Sequence, residues 1–569
     1  MSLFLFLGLI VSSALQTTVM AMSVPVYNRV MLGLHPVATL DYGSFKGAYA
    51  ADGRSVSFLG IPFAAPPVGD LRFRPPQPPL VMSAETPFDA TVPGNSCMQN
   101  PKHTGFTSDS LKMSEDCLNL NIYLPIKRPG VALTKLPVLV FIYGGSFNNG
   151  HNNQPFFNGS MFLQAVANDR QAIIVVPNYR VNAFGFLASK DLANEGSLNA
   201  GLLDQIAAFK WVRKYITSFG GNPRQVTAWG HSAGGMSIAL HLAGNGGSAT
   251  PDNNLFNRVI IQSSGLTPLL NTFYLGQSEF DKVVAAVGCD TSSTQPPLDC
   301  LRTIDAETLF AQSSTLNLVY RPSVDGKYIL EQPSKAIAAG RVRRVPAILL
   351  GVTDEGTRFP VSMGVNSIDS AAYYRRASSH FLDATEFQTL DTLYPSDAST
   401  PPAYIAGVPY GDGLFNCPAR QLSQYLVRPG SAVPIYKGRF DIHPTLLPSY
   451  EEIYRNVGVF HGSELSFVWN YRPLLDATNH ETDISRVLIA AFTDFASGLV
   501  PRIHQDPFAS DQRSPKWPQY TMKNQNQLVY RTTAPITKEV PTADFITKCD
   551  FWDSAFTRAS SLLPLIEAI

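Results

Sequence analysis

The chain has 569 residues, 45% of them hydrophobic and 15% charged, with Lys plus Arg and Asp plus Glu both totalling 44. Balanced charge without a basic run interleaved with aromatics excludes a polyanion-binding surface, so nucleic acid is not an expected partner. The length and apolar content allow a large buried core, and no fixed-period repeat or long linker divides it, so one domain is expected over residues 22–569.

Residues 1–21 read as a signal peptide. An apolar stretch from Leu3 to Val11 is followed by small residues and a cleavage site at Val19-Met20-Ala21, which predicts secretion to the extracellular space. No later run reaches the ~18 to 20 apolar residues of a membrane span. The Pro-rich segment from Ile61 to Pro79 interrupts regular structure without acting as a tether. Six cysteines, Cys97, Cys117, Cys289, Cys300, Cys417 and Cys549, fit an oxidising compartment. No CxxC pair or close Cys/His grouping occurs, so neither a metal nor another cofactor is expected. The sequon Asn158-Gly159-Ser160 is a candidate glycosylation site.

From "LPVLVFIYGG" onward, short β-branched runs alternate with helical patterns. The further runs are "AIIVVPNYR", "QVTAWGHS", "RVIIQSSG", "VPAILLGVTDEG" and "VPIYKGRF". This alternation predicts an α/β fold, a large, mostly parallel sheet with helices on both faces. In the helical stretch "GLLDQIAAFKWVRKYITSF", Leu203, Ile206, Ala207, Trp211, Tyr215 and Phe219 trend along one side. Glycines, a His-Ser pair and an Asp-Glu pair fall at the C-terminal ends of these strands, the edge where open α/β sheets place their sites.

Gly230-His231-Ser232-Ala233-Gly234 matches G-x-S-x-G between a strand and a helix-forming run. Such a turn lifts Ser232 clear of the sheet as a nucleophile, with the amides of the next helix aimed at the developing oxyanion. His231 is not the expected base, because adjacent side chains on a sharp turn diverge and a base must reach the serine hydroxyl within about 3 Å. The residues alone leave the base open among the ten histidines. Upstream, Gly144, Gly145 and Ser146 end an apolar strand, and the amides of Gly145 and Ser146 with that of Ala233 form a candidate oxyanion hole.

In these motifs the chain resembles the type-B carboxylesterase/lipase family of α/β-hydrolases, which includes fungal lipases, cholinesterases and bile-salt-activated lipase. The similarity runs in family order through "FLGIPFAAPPVGDLRFRPP", "SEDCLNLNIYLP", "FIYGGSFNNG", "NYRVNAFGFL", "GLLDQIAAFKWV", "FGGNPRQVTAWGHSAGG", "GVTDEGT" and "GVFHGSELSFVW". The resemblance implies that Glu355 is the triad acid, with Asp354 the alternative beside it, and that His461 is the base. It also implies the pairings Cys97–Cys117, Cys289–Cys300 and Cys417–Cys549, structural ion pairs Arg72–Glu115 and Arg180–Asp204, and a supporting role near the triad for Ser263. The expected activity is hydrolysis of a small-molecule or lipid carboxylic ester through an acyl-enzyme.

Departures from the family pattern narrow the substrate. Ser146 replaces a glycine and is expected to tighten the acyl site against bulky or tertiary-alcohol esters. His231 stands where the family usually has glutamate, and the nineteen residues between Cys97 and Cys117 contain no tryptophan, so a choline ester is not expected. His231 and Gly144 are read as lining the substrate site. The same nineteen residues occupy the place of a lipase lid but hold few apolar side chains. A carboxylesterase of broad range is therefore the first expectation and a lipase or sterol esterase for long-chain esters the second. A non-catalytic, neuroligin-like binding ectodomain is the alternative from another class, disfavoured by the presence of Ser232, Glu355 and His461.

Overall fold

The computed structural model describes residues 35–567 except 84, 101–111, 127–134, 167–169, 249–253, 267–269, 272, 291–294, 380, 446–455, 476–479, 504–515 and 532–535. The expected signal peptide lies outside the described residues. Numbered in chain order, β1 (Val37–Leu40), β2 (Gly43–Lys46) and β5 (Phe88–Asp89) form a small sheet. The large sheet comprises β3 (Ala48–Tyr49), β4 (Ser55–Pro62), β6 (Asn119–Pro125), β7 (Leu136–Ile142), β8 (Ile173–Pro177), β9 (Gly221–His231), β10 (Arg258–Gln262), β11 (Ala347–Val352), β12 (Ile435–Phe440), β13 (Gln527–Tyr530) and β14 (Thr537–Glu539).

Their spatial order is β14-β13-β12-β11-β10-β9-β7-β8-β6-β4-β3. The central strands from β13 through β8 are parallel, whereas β14, β6, β4 and β3 join antiparallel. Val138 to Ile142 of β7 and Ile173 to Val176 of β8 are fully buried, as parallel strands covered on both faces require. The chain runs from β7 to β8 on one side and then returns to place β9 on the other. The order thus reverses at β7 and β9, and Gly144 and Ser232 follow their carboxyl ends, the edge where open α/β sheets place their sites.

The predicted parallel strands are present, while β13 and the antiparallel flank were not legible from pattern. In β6, "NLNIYLP" buries Asn119 and Asn121, which break the apolar run but are paired: Asn119 Nδ2 donates to Asn95 O at 2.8 Å and Asn121 Nδ2 to Asn152 O at 3.2 Å. The helix Ala200–Tyr215 differs from its predicted face for the same reason. Of that face Trp211 and Phe219 are buried, but Leu203, Ile206 and Ala207 are only half-buried, whereas Asp204 and Gln205 are fully buried. Asp204 binds the Arg180 guanidinium at 2.7 and 2.8 Å, and Gln205 contacts His241 and Ser237 at 2.8 and 3.1 Å. Paired polar groups thus displace the apolar stripe.

Three disulfides, Cys97–Cys117, Cys289–Cys300 and Cys417–Cys549, cross-link the fold. Arg72 binds Glu115 through two 2.7 Å hydrogen bonds. No helix among the described residues is long and apolar enough to cross a membrane.

Candidate active site

Ser232 lies between β9 and the helix Ala233–Ala243 at φ 55°, ψ −126°, a conformation L-residues rarely adopt. Strain of this kind costs on the order of 1 to 3 kcal/mol and persists only where surroundings enforce it. Here close packing enforces it: a Cβ on Gly234 would stand 2.0 Å from the Ile142 carbonyl oxygen, and one on Gly230 would stand 2.5 Å from Gly234. The Ser232 amide donates to Gln262 O at 3.0 Å, tying the turn to β10. The loop after β7 closes from the other side, since a Cβ on Gly144 would meet Ser232 Cβ at 2.7 Å and His231 Nδ1 at 3.2 Å.

Glu355 follows β11 and is 1% exposed. Its Oε1 accepts the Val352 amide at 2.9 Å, and its Oε2 lies 2.6 Å from His461 Nδ1. Asp354 takes a different part. Its Oδ2 accepts the Val459 amide at 2.8 Å while its own amide donates to Val459 O at 3.0 Å, so it holds the loop that carries His461. Thr357 Oγ1 donates to Val457 O at 2.6 Å and Arg358 Nη1 to His461 O at 3.2 Å, extending the same clamp.

Burial pushes the His461 imidazole down to about 3, with the Arg358 charge adding to the shift. Burial also pushes Glu355 up, to about 8, against the pull of the Val352 amide and the Ser263 hydroxyl. These tendencies oppose each other across one hydrogen bond. With two donors, Val352 N–H and His461 Nδ1–H, aimed at its oxygens, Glu355 is taken as the carboxylate beside a neutral imidazole. That tautomer leaves His461 Nε2 as an acceptor; the atom is buried and has no hydrogen-bond partner among the described residues. Phe415 and Phe359 flank the imidazole at ring distances of 4.5 and 5.1 Å.

His231 is 6% exposed, with its ring 4.8 Å from that of His461 and its Nε2 3.5 Å from Glu464 Oε1. Burial, then the neighbouring His461 and Arg358, hold its pKa well below the ordinary imidazole range. Glu464 is fully buried, and its Oε1 accepts from Gln262 Nε2 and Ser263 Oγ, both at 3.2 Å. Glu464 escaped sequence reasoning, although it lies three residues after His461 in "HGSEL"; one acidic residue in a loop has no periodic signal. Of the remaining sequence candidates, Ser146 is exposed at φ 56° in the loop after β7, Gly145 precedes it at φ 118°, and Ala233 opens the helix after Ser232. Asn158 is half-buried, its Oδ1 capping the helix Gly159–Ala165 by accepting the Ser160 amide at 3.0 Å.

A serine on a strained strand-to-helix turn, at a reversal in a mostly parallel sheet, places the chain among the α/β-hydrolases. Solved structures share this architecture: EstA of Aspergillus niger matches with a TM-score of 0.78 at 29% identity, covering 92% of this chain and 99% of that one. A structure titled PNB esterase matches with a TM-score of 0.73 at 30% identity, over 90% of this chain and 100% of that one. Within this class the chain belongs to the carboxylesterase family, whose model matches residues 35–552, and it is a carboxylic ester hydrolase. Among curated relatives, Lipase 5 of Diutina rugosa is 33% identical over 86% of this chain and 90% of its own length. Lipase 2 of the same organism is 36% identical over 67% of this chain and 72% of its own.

Proposed function

We propose that this esterase is secreted and acts through an acyl-enzyme. Ser232 Oγ attacks the ester carbonyl as His461 Nε2 accepts its proton, and the imidazolium then protonates the departing alcohol. In the second half-reaction His461 takes a proton from water, the resulting hydroxide equivalent attacks the acyl carbon, and the acid leaves as Ser232 recovers its proton. Glu355 orients the imidazole and stabilises its cation. The amides of Gly145, Ser146 and Ala233 receive the carbonyl oxygen as it gains charge; one such donor typically supplies about 3 kcal/mol. No cofactor enters the cycle.

The single observation that carries this reading is the 2.6 Å bond from His461 Nδ1 to Glu355 Oε2, which leaves Nε2 as an acceptor on a ring 4.8 Å from that of His231, the neighbour of Ser232. The test is covalent labelling with a fluorophosphonate: the wild type takes one label on Ser232, and absence of label overturns the mechanism in favour of a binding role.

For substrate, a small-molecule ester of broad range is the first reading, supported by the sparse apolar content of the segment between Cys97 and Cys117. Curated relatives named lipases support long-chain acyl esters as the second. A series of p-nitrophenyl esters from acetyl to stearoyl separates them: kcat/KM peaking at short chains fits the first, and a peak at long chains replaces it with the second. Secretion also suits the three disulfides and makes Asn158 the expected glycan acceptor.

A further inference from the structure

The loop that faces Ser232 carries three consecutive residues in the left-handed region: Gly145 at φ 118°, Ser146 at φ 56° and Phe147 at φ 63°. Two of these are not glycine, and each costs roughly 1 to 2 kcal/mol in that conformation. Hydrogen bonds within the loop, from the Asn148 and Asn149 amides to Gly145 O at 2.9 and 3.0 Å, close it on itself. They do not fix where it stands relative to the sheet.

The segment Cys97-Met98-Gln99 does. Gln99 is fully buried, and its side-chain amide pairs with the backbone of Gly150 as a second peptide would: Nε2 donates to Gly150 O at 2.9 Å and Oε1 accepts Gly150 N–H at 2.8 Å. The same Nε2 donates to Cys97 O at 3.1 Å. Gly150 in turn abuts the front of the loop, where a Cβ would stand 2.5 Å from Gly144 O. A second strap runs through Asn182, whose Nδ2 donates to Met98 O at 2.6 Å and whose amide donates to Phe147 O at 2.7 Å. The whole segment is anchored by the Cys97–Cys117 disulfide.

We propose that Gln99 is a positioning residue for ester hydrolysis. It locks the loop from Gly144 to Gly150 in the strained geometry that presents the Gly145 and Ser146 amides to the oxyanion, and the Cys97–Cys117 bridge anchors the lock. This rests on the acyl-enzyme reading above. Gln99 touches no reacting atom. Its effect is to keep an oxyanion hole formed before substrate arrives, where preorganised donors are most effective.

The test compares wild type, Gln99→Met, which loses both bonds to Gly150, and Gln99→Glu, which keeps the acceptor and donates only when its carboxyl is protonated. With p-nitrophenyl butyrate, kcat is expected to fall roughly 10- to 100-fold in Gln99→Met while KM stays within about threefold. The affinity of a trifluoromethyl ketone, which forms an oxyanion on Ser232, is expected to fall in proportion to kcat/KM across the series. A purely structural role would lower the melting temperature without this proportionality. Should the Gln99 variants fail to fold, the double substitution Cys97→Ala/Cys117→Ala removes the anchor alone and is expected to show the same split. Folded variants with wild-type kcat, or unchanged ketone affinity, overturn the proposal. A wild type that takes no fluorophosphonate label fails the mechanism itself, a separate outcome.

Discussion

The Ser232 side and the His461 side of this site are held by different forces. Around Ser232 the constraint is steric: neighbouring backbone approaches the glycines of Gly230 to Gly234 so closely that a Cβ at Gly234 would fall 2.0 Å from Ile142 O at the end of β7. Around His461 it is long-range and polar. The imidazole and its acid are 106 residues apart in the chain, and Asp354, Thr357 and Arg358 hold the two segments together by hydrogen bonds to residues 457, 459 and 461. The serine therefore keeps its place by exclusion of other backbones. The histidine depends on side-chain bonds that single substitutions remove one at a time.

That contrast can be broken most directly at its chemical end. Ser232→Ala is expected to lower kcat by roughly 10⁵- to 10⁶-fold with circular dichroism unchanged, because the steric frame of the turn does not need the hydroxyl. Residual turnover near wild type would place the nucleophile elsewhere. Next in size, Asp354→Ala loosens only the His461 side. Steady-state kinetics are expected to show kcat reduced roughly 10- to 100-fold as His461 drifts from its productive position. Wild-type kcat in that variant would show that the clamp is dispensable.

The pH profile sharpens the same comparison. Burial lowers the His461 pKa, so its unprotonated, basic form persists below the ordinary value of 6.5. The acid limb of kcat/KM is therefore expected below pH 6.5, with burial outweighing the Glu355 carboxylate 2.6 Å away, and a limb above that value would show that the carboxylate outweighs burial. The smallest effect is expected at His231, which leans on His461 from the Ser232 side. His231→Glu places a carboxyl beside Glu464 and adds negative field without touching the reacting atoms. Turnover of neutral esters is expected to change less than about tenfold, while the ratio of cationic to neutral ester turnover rises. Complete loss of turnover in a folded variant would mean that His231 has a larger part than packing and field.

Legibility followed the same division. Ser232 was readable because a strained turn needs its glycines within two residues of the serine, so the whole requirement sits in five letters. Glu355 and His461 were readable only through family resemblance, since nothing local marks one histidine of ten as a base. Asp354 was weighed as an acid; its carboxylate instead accepts the Val459 amide. Glu464, Phe415 and Gln99 carried no signal at all, because each acts through a partner far away in sequence.

By itself, then, the sequence determined the alternation of strand and helix and the serine turn, which depend on spacing between near neighbours, and, through resemblance in ordered motifs along the chain, the ester-hydrolase family. Tertiary structure alone decided which face of the helix Ala200–Tyr215 is buried, that Asp354 meets the Val459 amide, that His231 lies against Glu464, and that Gln99, next to a disulfide, pairs with the Gly150 backbone. Buried polar groups must find partners wherever the fold brings them, and the distance along the chain to those partners is set by topology, not by local pattern.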